Sequence, residues 1–199
     1  MIDQAIILLR DELQAYVIIH DPAVTVAVDN IGMLETADGT NLADNIVITV
    51  VNIEEESALK NQPALKRPFN NKAIYRNPPV HLNLYVLLTC NYNKNYQLAL
   101  KRLSHIIRFV QSKTSFSSAS SIAAGSLDMS ETGITDLKFT LELYTLTFEQ
   151  INHLWGSLGG RQVPFAMYKL RLIALTDLVV QREVPLIEEI ETNIKPIAN

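Results

Sequence analysis

The four histidines of this chain are scattered along its sequence, and it has one cysteine. No two histidines form an H-x-x-x-H or H-E-x-x-H pair, and a single cysteine cannot complete a zinc set. We therefore predict neither a metal site nor a bound cofactor. The histidines in predicted helices, His105 and His153, are expected at the surface or at the boundary of the core. The other two histidines are His20 and His81.

The possible nucleophiles have structural explanations. Cys90 falls on the apolar side of an alternating segment, with no histidine or basic cluster beside it in the sequence, and this setting favours a buried thiol. The serine-rich stretch 112–121 has no G-x-S-x-G elbow and no histidine placed as its partner. The chain is therefore predicted not to be an enzyme. A small hydrolase that uses one of these serines remains a third hypothesis, behind two structural roles.

The acidic and glycine-rich positions do not form a recognisable ligand site. Glu54, Glu55 and Glu56 are consecutive, and side chains at a strand end alternate in direction, so the three carboxylates do not converge on one cation without help from the fold. Neither G-x-x-x-x-G-K-[ST] nor G-x-G-x-x-G occurs. Gly159 and Gly160 instead predict the C-terminal cap of a helix.

Composition narrows the class of protein further. Hydrophobic residues make up 48% of the chain and charged residues 19%, a low charged share that weakly favours burial of some surface in an assembly. The net charge of −4 argues against nucleic-acid partners, since phosphate contacts need a basic field. The acidic N-terminal segment does not resemble a signal peptide, and no segment has the roughly 18 uncharged apolar residues of a membrane span. One cysteine cannot form an internal disulfide, so nothing in the sequence requires an oxidising compartment. Together with the two preceding observations, this favours a soluble protein that is made in the cytoplasm and is not inserted into a membrane.

The segment from Pro78 to Lys113 is the unit around which the rest of the sequence is arranged. Residues 80–91 alternate with period two, as a strand with one apolar face does. From Tyr96 to Val110, apolar residues recur at three- and four-residue steps, which predicts an amphipathic helix that folds back over the strand. The opposite strand face, expected to meet a neighbouring subunit or solvent, includes His81, Asn83, Tyr85 and Thr89.

Further elements flank this unit. Alternating or β-branched patterns predict strands over residues 24–30, 45–53, 135–147 and 164–180. Helical spacing predicts helices over 2–18 and 147–158, the second opened by a capping box between Thr147 and Gln150. The expected fold class is α/β (α+β), with a mixed, mainly antiparallel sheet and helices packed on one face. A single domain is expected over residues 1–181, followed by an extended C-terminal arm over 182–199, which is called the tail below.

Three connecting segments lack a regular pattern. Residues 54–79 begin with three glutamates and continue as a basic, proline-rich stretch, predicted to be a long connection with little regular structure. It is either a solvated excursion or a loop that orders against a neighbouring subunit. Residues 113–133, rich in serine and alanine, are predicted to be a loop. Residues 182–199 are acidic and extended, and their aliphatic content is typical of a tail that docks on a partner.

Two stretches, residues 75–111 and 146–175, resemble one protein family. The first contains a Pro-Pro pair, the long strand and a helix that begins with tyrosine. The second has the order Leu154, Trp155, Leu158, Gly159, Gly160, Pro164, Tyr168 and Arg171. With the N-terminal helix, these stretches are similar to the N-terminal domain of tail-terminator (cap) proteins of phage-tail-like extracellular contractile injection systems, of the antifeeding-prophage and virulence-cassette type. Some members of this family have a further C-terminal region.

The resemblance implies a structural protein that forms a ring, a hexamer, on the distal end of the inner tube and contractile sheath and stops their polymerisation. Its partners would be further copies of itself and the tube and sheath proteins, in a particle assembled in the cytoplasm and then extracellular. The alternative is a baseplate or connector adaptor of the same kind of particle.

A ring closed by rotation needs two different complementary patches on each subunit. The basic loop and the acidic tail are candidates, the tail by adding a strand to a neighbour's sheet. The residues predicted to contact neighbouring subunits are Lys66, Arg67, Phe69, Tyr75, Arg76, Leu186, Ile187, Ile190 and Ile194.

Overall fold

The computed structural model describes residues 1–34, 42–59, 65–66, 72–75, 80–121, 137–175 and 182–185, and for 59, 65–66, 72–75, 172–175 and 182–185 the backbone alone. In chain order its helices and strands are α1 (Ile2–His20), β1 (Val26–Val28), β2 (Asn45–Glu55), β3 (Leu65–Lys66), β4 (Lys72–Tyr75), β5 (Val80–Asn91), α2 (Tyr96–Ser112), β6 (Ser115–Ser117), β7 (Lys138–Leu143), α3 (Phe148–Ser157), β8 (Phe165–Leu175) and β9 (Arg182–Pro185). Short 3-10 turns occupy Ile31–Met33 and Ser57–Leu59.

Six strands form one sheet in the order β1-β2-β5-β8-β7-β6. The three-residue strand β1 runs parallel to β2, and the other neighbouring strands of this sheet are antiparallel. Three short strands form a second, antiparallel sheet in the order β3-β4-β9. The predicted α/β (α+β) class with a mixed, mainly antiparallel sheet is therefore confirmed.

The central strand β5 is buried on both faces over most of its length. Leu84, Val86 and Leu88 belong to a larger core together with residues of α1 and α2, whereas Tyr85 and Leu87 belong to a second core. Because side chains alternate across a strand, the two cores lie on opposite faces of the sheet. Both faces of the sheet must therefore be covered.

Helix α3 covers the second core. Its Trp155 is buried, with the indole ring 5.5 Å from the ring of Phe165 at the start of β8. The expected placement of the helices on one face describes α1 and α2, while α3 lies over the other face. This cover explains why a prediction fails: the strand face expected to meet a neighbour or solvent is buried within the chain at Asn83, Tyr85 and Thr89.

Both ends of α3 form as the sequence predicts. Thr147 Oγ1 accepts a hydrogen bond from the Gln150 N–H at 3.3 Å, and the Gln150 side chain accepts one from the Thr147 N–H at 2.9 Å, which completes the capping box. Gly159 and Gly160 follow the helix with φ angles of 102° and 82°, in the left-handed region that favours glycine. The Gly160 N–H donates to the Trp155 carbonyl at 2.6 Å, and the helix ends there.

Two ion pairs join α1 to α2. Arg102 of α2 donates from Nη2 and Nε to Asp21 Oδ2, just after α1, at 2.8 and 3.1 Å. Lys113 Nζ lies 2.8 Å from Glu12 Oε2. The Arg102 side chain is only 6% exposed, and its hydrogen bond lowers the pKa of the Asp21 carboxyl. Arg102 and Asp21 are 81 positions apart in the sequence, so this buried pair is a finding of the structure.

His105 is buried where α1 and α2 meet. Neither of its ring nitrogens has a hydrogen-bond partner among the described residues, and its ring lies 5.1 Å from that of His20. Burial lowers the pKa of His105, and the positive groups of His20 and Lys101 lower it further. His105 is thus a core histidine, which corrects the surface or boundary position expected for it, whereas His153 is exposed as expected.

Two segments predicted as loops contain strands. Little regular structure was expected over residues 54–79, which is wrong because β3 and β4 lie there; β9, far along the chain, pairs with β4. Within residues 113–133, Ser115–Ser117 forms β6, since Phe116 stacks against Phe139 in the larger core with ring centroids 5.2 Å apart. Strand β7 is shorter than the pattern over 135–147 predicted.

We predict that Trp155→Ala lowers the free energy of unfolding by about 3–5 kcal/mol, because it removes a large buried ring from the second core. Phe148→Ala in the same helix is the matched control; the Phe148 side chain is 87% exposed, and its loss should change the free energy by less than about 0.5 kcal/mol. Urea unfolding followed by circular dichroism measures both. Equal losses in the two variants would contradict the burial of Trp155.

A second prediction concerns acid stability. Because the pKa of His105 is lower in the folded chain than in the unfolded chain, where it is about 6.5, the unfolded state binds more protons as pH falls below that value. The stability contributed by neutral, buried His105 is therefore complete above pH 6.5 and is lost as pH falls through the folded pKa.

We expect His105→Gln to reduce the dependence of the unfolding free energy on pH between 7.5 and 5. The control is His153→Gln, which changes an exposed histidine and should leave that dependence as in the natural chain. Urea unfolding at several pH values gives the slopes, which are compared independently of the absolute stability of each variant. A slope unchanged by His105→Gln would refute the assignment.

Candidate interaction surfaces

The only cysteine of the chain, Cys90, lies in the larger core. Cys90 is fully buried, and burial raises the pKa of its thiol to about 12, so the reactive thiolate does not form near neutral pH. This confirms the expected buried thiol. Within the described ranges, no group of three or more His, Cys, Asp or Glu side chains could hold a metal ion. Nor is any helix described there long and apolar enough to cross a membrane.

The serines after α2 hold the chain in place. Ser118 Oγ accepts a hydrogen bond from the Leu137 N–H at 3.0 Å, and Ser112 Oγ donates to a carbonyl of its own helix at 2.7 Å. Ser121 donates to the Glu12 carboxylate of α1. The bonds of Ser118 and Ser121 fasten the segment around β6 to the residue before β7 and to α1, and that of Ser112 stays within α2, so all three serines have a structural role.

The second sheet, β3-β4-β9, continues the pairing of β5 with β8 and is called the arm below. In the main sheet that pairing extends to Val80 opposite Leu175. Antiparallel pairing resumes in the arm at Tyr75 opposite Arg182, with four intervening residues on one side and six on the other. The loop expected to contact neighbours and the start of the tail are therefore joined within one chain by backbone pairing.

The arm brings two of the nine predicted contact residues together. Lys66 lies in β3 opposite Ile74, and Tyr75 lies in β4 opposite Leu65, so they are on adjacent strands. The other seven lie outside the described residues: Arg67, Phe69, Arg76, Leu186, Ile187, Ile190 and Ile194. As a contact surface, the set stays a prediction.

Part of strand β2 is among the strand edges of the main sheet that have no partner strand in the described residues. Strand β1 pairs with only three residues of β2, ending at Ile48. The Thr49 hydroxyl then donates to the Asp29 carbonyl at 2.6 Å and accepts from the Ile31 N–H at 3.1 Å, which fixes the point where the chain leaves β2. Residues 50–54, called the β2 edge below, pair with β5 on one side and with no described strand on the other. Such an edge is a template for another strand.

A surface cleft of about 410 Å³ lies beside the β2 edge. Val50 and Val51 line it from the sheet, and Leu154 and Leu158 line it from α3. Ile53, further along the edge, is 47% exposed. The open backbone thus lies next to a space where apolar side chains can be buried.

Helix α2 carries apolar residues that packing against the sheet leaves outside. Tyr96, Leu100 and Ile107 are 66%, 42% and 43% exposed and lie on one side of the helix, with Leu103 between them. A second cleft of about 410 Å³ separates this stripe from residues 162–165. Contiguous exposed apolar surface of this kind marks contact sites on soluble proteins.

Two glutamates at or just after the end of β2 accept hydrogen bonds from side chains of β5. Glu54 accepts a hydrogen bond from the Tyr85 hydroxyl at 2.7 Å, and Glu56 accepts one from the Asn83 amide at 2.9 Å. The Asn83 bond lowers the pKa of Glu56, whereas burial and the bond to Glu54 raise the pKa of Tyr85 to about 12. These carboxylates are held by side chains of β5 and are not gathered around a common point.

Sequence reasoning missed the β2 edge and the α2 stripe. A signal for the first was present, because a three-residue alternation of valines around β1 cannot cover an eleven-residue strand. The signal for the α2 stripe is the number of apolar residues in α2, which is too large for one face of the helix. The structure divides these residues between the core and the surface.

The family comparison gives a match over most of the chain. Residues 6–189 match the family model described as the Pvc16 N-terminal domain. A search of curated proteins gives no significant match.

Solved structures share this fold. One is described as the sheath/tube terminator of an extracellular contractile injection system, PVC, in its extended state; the alignment has 11% identity and a TM-score of 0.66 and covers 100% of this chain and 64% of that one. Another is the anti-feeding prophage cap, described as a tube-terminating cap, with 18% identity, a TM-score of 0.57, and coverage of 94% and 59%. The chain thus spans about three fifths of the length of these two proteins.

Proposed function

Because the chain belongs to the Pvc16 N-terminal domain family, we propose that it is a structural tail terminator, which forms a ring on the distal end of the inner tube and contractile sheath and stops their polymerisation. The observation that supports this role is a fold shared across essentially the whole chain with a sheath/tube terminator and a tube-terminating cap. A role in assembly also fits a protein in which Ser118 and Ser121 make structural hydrogen bonds and Cys90 is buried.

The partners in this proposal are further copies of the chain and the tube and sheath proteins of a phage tail-like particle. The particle is assembled in the cytoplasm and is then extracellular. The β2 edge and the α2 stripe are surfaces suited to protein partners, because one presents open backbone groups and the other exposed apolar side chains.

The ring is proposed to be a hexamer whose subunits meet head to tail, with different patches on the two sides of each subunit. The arm and the rest of the tail form one patch, with Lys66, Arg67, Phe69, Tyr75, Arg76, Leu186, Ile187, Ile190 and Ile194 as its contact residues. This proposal replaces the expectation that the loop and the tail are the two complementary patches, because β4 of the loop pairs with β9 at the start of the tail. Their support is the pairing of β4 with β9, which places the loop and the start of the tail side by side.

Particles assembled without this protein test the proposal. A terminator is needed to stop growth, so we expect tubes and sheaths of irregular and increased length, measured by electron microscopy. Supplying the chain in trans should restore a uniform length, which is the control. Absence of particles would instead support the alternative, a baseplate or connector adaptor needed to begin assembly.

The ring is tested by mass. Light scattering at several concentrations should show a species of about six times the 22.3 kDa chain. Lys66→Glu reverses a charge on the arm and should raise the concentration needed for the ring by about tenfold, which corresponds to about 1.4 kcal/mol. Lys94→Glu makes the same charge change at an exposed turn after β5 and should have no effect. Equal effects of both variants would argue against a contact at the arm.

A further inference from the structure

We propose that the β2 edge accepts residues 190–195 of a second copy of the chain as an added strand. The proposal rests on the ring proposed above and names both sides of one of its contacts. It follows from three observations: the unpaired backbone of the β2 edge, the alternation of β-branched with polar or charged residues over 190–195, and the direction in which β9 runs along β4.

The edge has the features that strand addition needs. Over residues 50–54 its outer side pairs with no described strand, and the half-buried Val50 and Val51 face opposite cores. A strand laid along it would point alternate side chains toward the cleft between the edge and α3, where Leu154 and Leu158 offer apolar contacts. Ile53 would lose its exposure to water in the same contact.

Residues 190–195 have the pattern of a strand with one buried face. Counting in steps of two, one side carries β-branched residues, Ile190, Thr192 and Ile194. The other side carries polar and charged residues, Glu191, Asn193 and Lys195. Pro196 follows, and because proline has no N–H to donate, it limits the strand to about the length of the open edge.

The direction of β9 favours a second copy over the chain's own edge. Strand β9 begins at Arg182, opposite Tyr75, and ends at Pro185, opposite Lys72, the end of β4 that is farther along the chain from β5. The last described residue of the tail, Pro185, therefore pairs with the residue of β4 that is farthest along the chain from the main sheet. A return to the β2 edge of the same chain would require the tail to reverse the direction of β9, whereas donation to a second copy does not.

Cysteine pairing between differently tagged copies tests the proposal. One copy carries Ile53→Cys in the β2 edge, and the other carries Ile190→Cys, Thr192→Cys or Ile194→Cys in turn. Cys90 is buried and stays in both. We expect a disulfide-linked dimer containing both tags for at least one tail position. Leu143→Cys, on the exposed part of β7, replaces Ile53→Cys as the control and should give none.

The results of cysteine pairing and of the mass measurement together distinguish a failure of strand donation from a failure of the proposed ring. A ring by mass without any mixed dimer would overturn strand donation at the β2 edge and leave the ring standing. If Ile53→Cys and a tail cysteine in one chain instead pair within that chain at high dilution, the occupant is the chain's own tail, and the second copy is wrong. A chain that stays monomeric at every concentration and gives no mixed dimer would overturn both the contact and the ring in solution.

A tail substitution gives an independent measurement that does not disturb the folded domain. Thr192→Pro removes a backbone donor from the middle of the added strand and should raise the concentration needed for the ring by at least about tenfold. Thr192→Val keeps the β-branched side chain and should not. Equal ring formation by the two variants would overturn the proposal.

Discussion

The burial of β5 on both faces is the constraint from which the rest of the structure follows. A central strand with apolar residues on both sides cannot leave either face to water without exposing a row of large side chains. Helices α1 and α2 cover Leu84, Val86 and Leu88, and α3 covers Tyr85 and Leu87. The capping box and the two glycines of α3 matter for this reason, since they set the length of the only helix described over the second face.

The local elements of this fold could be predicted from the sequence because their causes are local. The Thr147–Gln150 box, the Gly159–Gly160 stop and the helical spacing of α1 and α2 each depend on residues a few positions apart. The arm and β6 could not be predicted in this way. The pairing of β4 with β9 and the stacking of Phe116 on Phe139 join residues distant in sequence, which no local pattern shows.

The same distinction explains which candidate surfaces the sequence indicates, although the contact role of the loop and the tail stays a prediction. The loop and the tail were identified because their charge and aliphatic content are visible in composition. The β2 edge depends on where β1 stops, and that point is set by the bonds of Thr49 to Asp29 and Ile31. The α2 stripe likewise depends on how the helix is rotated against the sheet, which buries Arg102 and His105 and leaves Tyr96 and Leu100 outside.

Strand donation between copies would make a ring cooperative. An added strand of five or six residues forms a few backbone hydrogen bonds, each contributing about 0.5–1.5 kcal/mol, so one contact alone is weak. Free subunits would then stay apart at low concentration. The last subunit of a ring makes two contacts, and the second forms within one assembly at a high effective concentration. Because donor and acceptor are different patches, the closed ring leaves neither a free tail strand nor an open β2 edge, and growth by this contact stops at closure.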